Sequence, residues 1–414
     1  MKKNAKSVFT VLDIGSSKIA CLMVRMNEGM APEVIGHSFV QAKGIQNGTI
    51  WNVEEAKLCV DSALRQVEKM AGRRISGVYV NISSSQIKST RYYDEMDIPN
   101  GHAINSDDVK KLVDGIVNTR IAPDEEILHV IPIGYSVNRE QGRADPCGIY
   151  GNTLGAGVHV ITIPQTQVMN LLKVLDWCHV TVIAKVATPY AAALAVLSEE
   201  EMIVGTTVID FGADLTSYAI MVGGGLMQLG FVPHGGNEIT LKLAETFKTP
   251  LQNAEREKVV RGAAMLAPKD GQEPIILPLL KDESGANIQV MRSRWVETML
   301  PCLENILTTL KNDFEENDKF SSCAKCYVLT GGGSGFDNLT EKVSSVFGGV
   351  ARIGKFPLIK NLPNECDSCR LNICIGLLVY AKMRMQNGIM DNFQEKSACC
   401  GWLRKVMEWI KQNL

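Results

Sequence analysis

The chain has 414 residues, with 43 Lys+Arg against 45 Asp+Glu, a formal net charge of −2 and 45% hydrophobic residues. That length buries a sizeable core and divides into several domains, while the charge balance excludes a dedicated nucleic-acid binder and an acidic disordered chain. No charge-free apolar run of about 18 residues is present to span a bilayer, and the basic opening at residues 1–6 leads into a short apolar run without a cleavage motif, so no secretory signal is expected.

In chain order, residues 8–14 form an apolar, β-branched run ended by Gly15 and read as a buried strand, with a second strand at 19–25. Residues 53–70 carry apolar side chains at helical spacing and stop at Gly72; residues 78–82 are another strand. A separate unit is expected over 84–163, with a helix at 107–118 capped by Ser106 and strands near 128–135 and 158–163. A helix at 165–178, a strand at 181–185 and an Ala-rich helix at 189–197 follow. The second half reads as strands at 206–212, 216–222 and 227–232, helices at 237–247, 254–264 and 295–317, and a strand at 327–330. Helices at 339–347 and 371–384 and a polar linker at 387–398 complete the body. The alternation favours an α/β architecture.

The 12 Cys do not describe a small secreted disulfide scaffold. Cys21, Cys59, Cys178, Cys302 and Cys374 lie in apolar segments and read as reduced core residues. Two C-x2-C pairs, Cys323/Cys326 and Cys366/Cys369, are each half a zinc site, but 40 positions separate Cys326 from Cys366, longer than common zinc ribbons allow.

The informative motif occurs twice. Val11-Leu-Asp13-Ile-Gly15 and Val208-Ile-Asp210-Phe-Gly212 lie 197 positions apart, each an apolar strand delivering an Asp and turning through Gly into a second strand. Glycine lets the backbone approach a bulky anion and aim N–H groups at phosphate oxygens. The Asp repels phosphate but suits Mg²⁺ held through water. Ser16 and Ser17 add hydroxyls and Lys18 a charged donor. Facing each other, two such hairpins would clasp the phosphates of a nucleotide between two domains. A strand leading into Gly331, Gly332 and Gly333 permits close passage of a base or sugar.

The order D-I-G-S-S-K, D-F-G and L-T-G-G-G resembles the actin/Hsp70/sugar-kinase ATPases. More narrowly the chain is similar to the bacterial FtsA family, through Glu126-Ile-Leu-His-Val-Ile-Pro-Ile-Gly-Tyr135, Val158-His-Val-Ile-Thr162, Ala254-Glu-Arg-Glu-Lys258 and the glycine triplet, over nearly its whole length. The resemblance implies a two-lobed actin-like α/β fold with an inserted α/β subdomain and a C-terminal amphipathic helix. Its expected divisions are lobe 1 at 1–83, 164–204 and 371–386, the insertion at 84–163, lobe 2 at 205–370, a linker at 387–400 and the terminal helix at 401–414.

The resemblance also implies ATP and Mg²⁺ as ligands, with Asp13 and Asp210 toward the metal. Asp13, Gly15, Ser16, Ser17 and Lys18 would line one phosphate side, and Asp210, Gly212, Ala213 and Asp214 the other. Gly236 and Asn237 would lie near the nucleotide, Glu255 and Lys258 beside its sugar and base, and Gly331, Gly332, Gly333 and Phe336 opposite them. Self-assembly into filaments, tethering of the FtsZ tail to the cytoplasmic face of the inner membrane at the division site, and recruitment of later divisome proteins through the insertion follow from the same resemblance. The FtsZ tail is expected on residues 240–306, with Arg292 and Arg294 as candidate partners for its acidic groups.

Two departures from the family pattern stand out. Relatives often read D-I-G-G-G-T in the second turn, whereas this chain has Ala213-Asp214-Leu215, so Asp214 either faces phosphate or helps hold the metal. Where many superfamily ATPases carry a water-orienting Glu or Gln, this chain has Thr188, a poor base or a helix N-cap, so at most slow ATPase activity and no catalytic residue are expected.

In residues 402–414, at ~100° per residue, Trp402, Leu403, Val406, Met407, Trp409, Ile410 and Leu414 gather on one face, opposite Arg404, Lys405, Glu408, Lys411 and Gln412. The helix is about 20 Å long, too short to span a bilayer and suited to lie on an anionic membrane surface. Lipidation of Cys399 or Cys400 is disfavoured. The rival readings are a pilus-assembly platform protein of the same fold and a sugar or acetate kinase, which would need a catalytic base that the sequence does not offer.

Overall fold

The computed structural model describes residues 7–26, 31–280, 286–316, 325–357, 359–362 and 371–386. The linker, the terminal helix, Cys323, Cys366, Cys369, Cys399 and Cys400 lie outside the described residues.

The chain opens with β1 (Ser7–Ile14), β2 (Lys18–Met26), β3 (Glu33–Gln41), the short hairpin β4 (Ile45–Gln46) and β5 (Thr49–Ile50), α1 (Val53–Ala71) and β6 (Gly77–Ile82). Asn52 caps α1 by accepting from the amides of Glu54 and Glu55, and Gly72 ends it at φ 63°. The insertion holds β7 (Lys88–Asp97), α2 (Ser106–Arg120), β8 (Glu125–Val137), β9 (Glu140–Arg143) and β10 (Thr153–Pro164). Asn105, rather than Ser106, caps α2, because its carboxamide bonds the amides of Asp107 and Asp108 while Asp108 reaches back to complete a capping box.

Next come α3 (Gln165–Trp177), β11 (Thr181–Ala187), α4 (Thr188–Val196) and α5 (Glu199–Val204). Thr188 lies inside α4 and makes no cap, correcting the N-cap alternative. The second half runs β12 (Thr206–Phe211), β13 (Thr216–Val222), β14 (Gly225–Val232), α6 (Gly236–Phe247), α7 (Leu251–Arg261), β15 (Pro274–Pro278), β16 (Asn287–Met291) and α8 (Arg292–Glu316). It ends with β17 (Cys326–Thr330), α9 (Leu339–Phe347), β18 (Val350–Ile353) and α10 (Asn372–Gln386).

The repeated motif reports a repeated topology. One sheet has the order β3-β2-β1-β6-β11 and the other β14-β13-β12-β17-β18. In both, the Asp-bearing strand is antiparallel to the hairpin partner that follows it and parallel to the strand on its other side. The insertion forms its own sheet, β7-β10-β8-β9, with α2 packed on it and a separate core around Leu112, Ile116, Leu154 and Val158.

Between the two large sheets lie α4 and α10. All of α4 is buried, which explains its lack of a polar face. A Cβ on Gly376 of α10 would strike the Ala191 backbone of α4, so glycine sets the close approach of these helices. The core around them joins β1, β2 and β6 of the first sheet to Val208, Ala219 and Val328 of the second. Among the described residues no helix is long and apolar enough to cross a membrane. Cys21, Cys59 and Cys374 are buried as expected of core thiols, Cys178 and Cys302 are half-buried, and Cys326 is exposed and free.

Candidate functional site

The two Asp-Gly turns are built alike. Gly15 N–H donates to the Lys18 carbonyl at 3.1 Å, and Gly212 N–H donates to the Leu215 carbonyl at 3.1 Å. The three-residue spacing from Gly to acceptor is the same, so Lys18 of the first turn corresponds to Leu215 of the second. The first turn is pinned further by Asn81 at the end of β6, whose Oδ1 accepts from Ile14 N–H at 2.7 Å. The second turn is pinned by the start of α6, where Gly236 and Asn237 amides donate to the carbonyls of Gly212 and Ala213 at 3.0 and 2.7 Å.

These turns face one cleft of about 560 Å³. Asp13, Gly15, Ser16, Ser17, Lys18, Asp210, Gly212, Ala213, Asp214, Gly236, Asn237, Glu255, Lys258, Gly331, Gly332, Gly333 and Phe336 all line it, which brings together every residue expected at the nucleotide. It is also lined by Gly48, Asn81, Ser83, Thr188, Gln252, Arg256 and Asn372, of which only Thr188 was singled out from sequence.

Asp13 and Asp210 are 5% and 8% exposed. Burial pushes Asp13 up to about 7, against the pull of Lys18 and with a further push from Asp210. Burial likewise pushes Asp210 up to about 6, against its hydrogen bond from Asn372 and the charge of Lys18. Two carboxylates desolvated toward one cleft suit a hard divalent cation, which would restore their charged forms. No group of three or more His, Cys, Asp and Glu side chains able to hold a metal occurs among the described residues, so most of the coordination shell would come from water and phosphate oxygens.

Both oxygens of Asp214 are engaged by protein donors. Its carboxylate accepts from Asn237 Nδ2 at 2.7 Å on one oxygen and from the Asn47 amide at 2.8 Å on the other. Thr188 is similarly committed. It donates to the Ile82 carbonyl at 2.9 Å and accepts from Asn81 Nδ2 at 3.1 Å, with the Ser83 hydroxyl 2.6 Å away. With its proton directed to Ile82 and a lone pair to Asn81, this hydroxyl is engaged by the protein and is a poor group to orient an attacking water.

On the far side, Lys258 is buried and bonds Glu255, Thr240 Oγ1 and the Gly236 carbonyl at 2.6, 2.8 and 2.9 Å. Burial lowers its pKa, while Glu255 opposes the shift. It therefore ties α7 to the start of α6.

Arg292 departs from its expected role. Its guanidinium is 5% exposed and bonds Asp270 and Asp337, each at 2.7 Å, and the Arg261 carbonyl at 3.1 Å. A side chain enclosed by these partners cannot also receive an acidic tail. Arg294, two residues on, is exposed.

A family model described as the SHS2 domain inserted in FTSA matches residues 84–162, and one described as cell division protein FtsA matches residues 207–365. The cell division protein FtsA of Rhizobium meliloti is 30% identical over 387 residues, covering 91% of this chain and 87% of the relative. That of Agrobacterium fabrum is 28% identical over 423 residues, covering 98% and 95%. That of Escherichia coli K12 is 26% identical over 420 residues, covering 100% of both. Among solved structures, the PilM–PilN type IV pilus biogenesis complex superposes with a TM-score of 0.64 at 16% identity, covering 91% of this chain and 98% of that one. MreB5 of Spiroplasma citri bound to ADP gives 0.55 at 12%, covering 92% and 98%. At those identities the structural likeness establishes the actin-like fold alone. The full-length relatives and the two family models together carry the assignment: the chain belongs to the FtsA family of cell division proteins.

Proposed function

We propose that this chain binds ATP with Mg²⁺ in the cleft between its two lobes, assembles with copies of itself, and links the FtsZ tail to the cytoplasmic membrane at the division site. The observation that carries this reading is the pair of Asp-bearing strands that end in matching glycine turns and face one cleft, in a chain of the FtsA family.

In this reading Asp13 and Asp210 hold Mg²⁺ through water, and the cation neutralises phosphate charge. Gly15 to Lys18 and Gly212 to Ala213 approach the phosphates, while the walls carrying Glu255 and Phe336 enclose sugar and base. The committed hydroxyl of Thr188 favours tight binding with slow hydrolysis, so that nucleotide governs assembly more than turnover. The body divides at the boundaries expected from sequence, with the insertion as the contact module for later division proteins. The FtsZ tail engages the 240–306 region, with Arg294 rather than Arg292 available to it. Residues 402–414 lie on anionic lipid, and assembly strengthens that attachment by avidity.

Electron microscopy of the full chain on anionic lipid monolayers, with and without Mg·ATP and an FtsZ tail peptide, tests the whole. Ordered arrays that need Mg·ATP and recruit the peptide are expected. Trp402→Glu or Trp409→Glu should abolish the coating, and loss of neither coating nor recruitment would remove the membrane role.

A further inference from the structure

We propose that Arg292 is a positioning residue for the base-side wall of the cleft, holding α7 and the segment after the glycine turn at a fixed separation. The proposal rests on the nucleotide reading of the cleft. Two chain segments leave the cleft on that side, one after α7 at Gly262 and one after Phe336 at Asp337. They run side by side. Asp337 N–H donates to the Gly262 carbonyl at 3.1 Å, and Ala264 N–H donates to the Asp337 carbonyl at 2.8 Å. A Cβ on Gly262 would come within 2.6 Å of the Phe336 ring, so the ring rests directly on that backbone.

These contacts set the local register but are only a two-bond ribbon. The guanidinium of Arg292 supplies the brace. Nε donates to the Arg261 carbonyl at the end of α7 at 3.1 Å, and Nη2 donates to Asp337 at 2.7 Å. Nη1 donates to Asp270, whose carboxylate is fully buried. A planar fork fixes three partners at once, whereas an ammonium at the same place is a point charge without that geometry. None of the three partners belongs to the phosphate turns. The brace therefore acts directly on the wall that carries Glu255, Lys258 and Phe336 and makes no bond of its own to the Asp13 and Asp210 turns.

The test compares Mg·ATP with Mg·tripolyphosphate, which has the phosphates and lacks the base and sugar. The full chain and its Arg292→Lys and Asp337→Ala variants are titrated by calorimetry, with thermal unfolding recorded in parallel. Asp337→Ala, which removes the acceptor, serves where Arg292→Lys does not fold, because the Asp337 carboxylate is 59% exposed and its loss leaves the buried Arg292–Asp270 pair intact. ATP affinity should fall on the order of tenfold while tripolyphosphate affinity stays at the wild-type value. Asp337→Glu, which restores the acceptor, should recover most of the loss. Equal weakening of both ligands, or of neither, overturns the proposal. A wild-type chain that binds tripolyphosphate but discriminates no base overturns it as well, and one that binds neither ligand removes the nucleotide reading itself.

Discussion

The backbone N–H of Asn47 donates to the Asp214 carboxylate at 2.8 Å, joining the tip of the β4–β5 hairpin to the second Asp-Gly turn across the cleft. Asn47 and Gly48 have φ of 49° and 71°, the left-handed pair of a tight hairpin turn. Gly48 N–H also donates to Ser16 Oγ at 3.2 Å, so one hairpin tip touches both turns. This latch should slow the exchange of bound nucleotide. Asp214→Ala is expected to raise the dissociation rate of a fluorescent ATP analogue several-fold, the effect of about 1 kcal/mol of lost hydrogen bonding. Asp214→Asn keeps an acceptor oxygen and should stay near wild type. Equal rates in all three proteins would show that the hairpin does not gate the cleft.

Gly331 has φ +86°, and a Cβ there would collide with the Asp210 carboxylate and the Phe211 carbonyl. Gly331→Ala should destabilise the chain by at least about 1 kcal/mol and displace the carboxylate proposed for Mg²⁺. Gly332→Ala is the matched control, since open space surrounds that position. Urea unfolding should separate the two variants clearly, and indistinguishable midpoints would contradict the close approach.

Thr188→Val keeps the volume of the side chain but leaves the Ile82 carbonyl without its donor and Asn81 without its acceptor. A cost of roughly 1–3 kcal/mol in stability is expected. Phosphate release should be slow in both proteins, below ~1 s⁻¹. A wild-type rate well above that, abolished in the variant, would assign Thr188 a catalytic role.

His159 joins the insertion to the second lobe. Its Nδ1–H donates to the Leu226 carbonyl at 2.9 Å, and Nε2 lies 2.8 Å from Ser89 Oγ, which accepts from the Leu229 amide at 3.2 Å. Burial lowers its pKa to about 4, the Leu226 bond opposes that shift, and Arg91 and His129 lower it further. The unfolded chain therefore takes up this proton from about pH 6.5 downward while the folded chain resists until about pH 4. The stabilisation from neutral His159 is complete above pH 6.5 and is lost progressively as the pH falls to 4, by roughly 3 kcal/mol. His159→Gln should flatten this part of the stability–pH curve measured by urea unfolding. An unchanged slope would mean that other groups carry it.

Much of the site is legible in sequence because its chemistry is local. An Asp at the end of an apolar strand followed by Gly needs only a few consecutive residues to declare itself, and two copies imply two facing turns. Strands with apolar runs on both faces, such as β1 and β12, are equally plain. By contrast, β7 alternates half-buried and exposed residues in a largely polar sequence, Lys88 to Asp97, and only its pairing with β10 makes it a strand. The half-buried β3 was missed as well, and it is ordered by pairing with β2. The capping of α2 turned on which of two adjacent polar residues faces the first amides, a matter of backbone angle.

The sequence alone determined the repeated Asp-Gly device, the α/β class, the glycine turn and the amphipathic pattern of residues 402–414, because each depends on neighbours in the chain. Tertiary structure alone decided what the charged side chains do. Arg292 and Asp214 carry the same charges in either setting, but their partners lie at distant positions: Asp270 and Asp337 for Arg292, and Asn47 for Asp214. Whether a charge meets a ligand or braces the protein depends on which segments the fold brings within hydrogen-bond reach, and no local pattern encodes that.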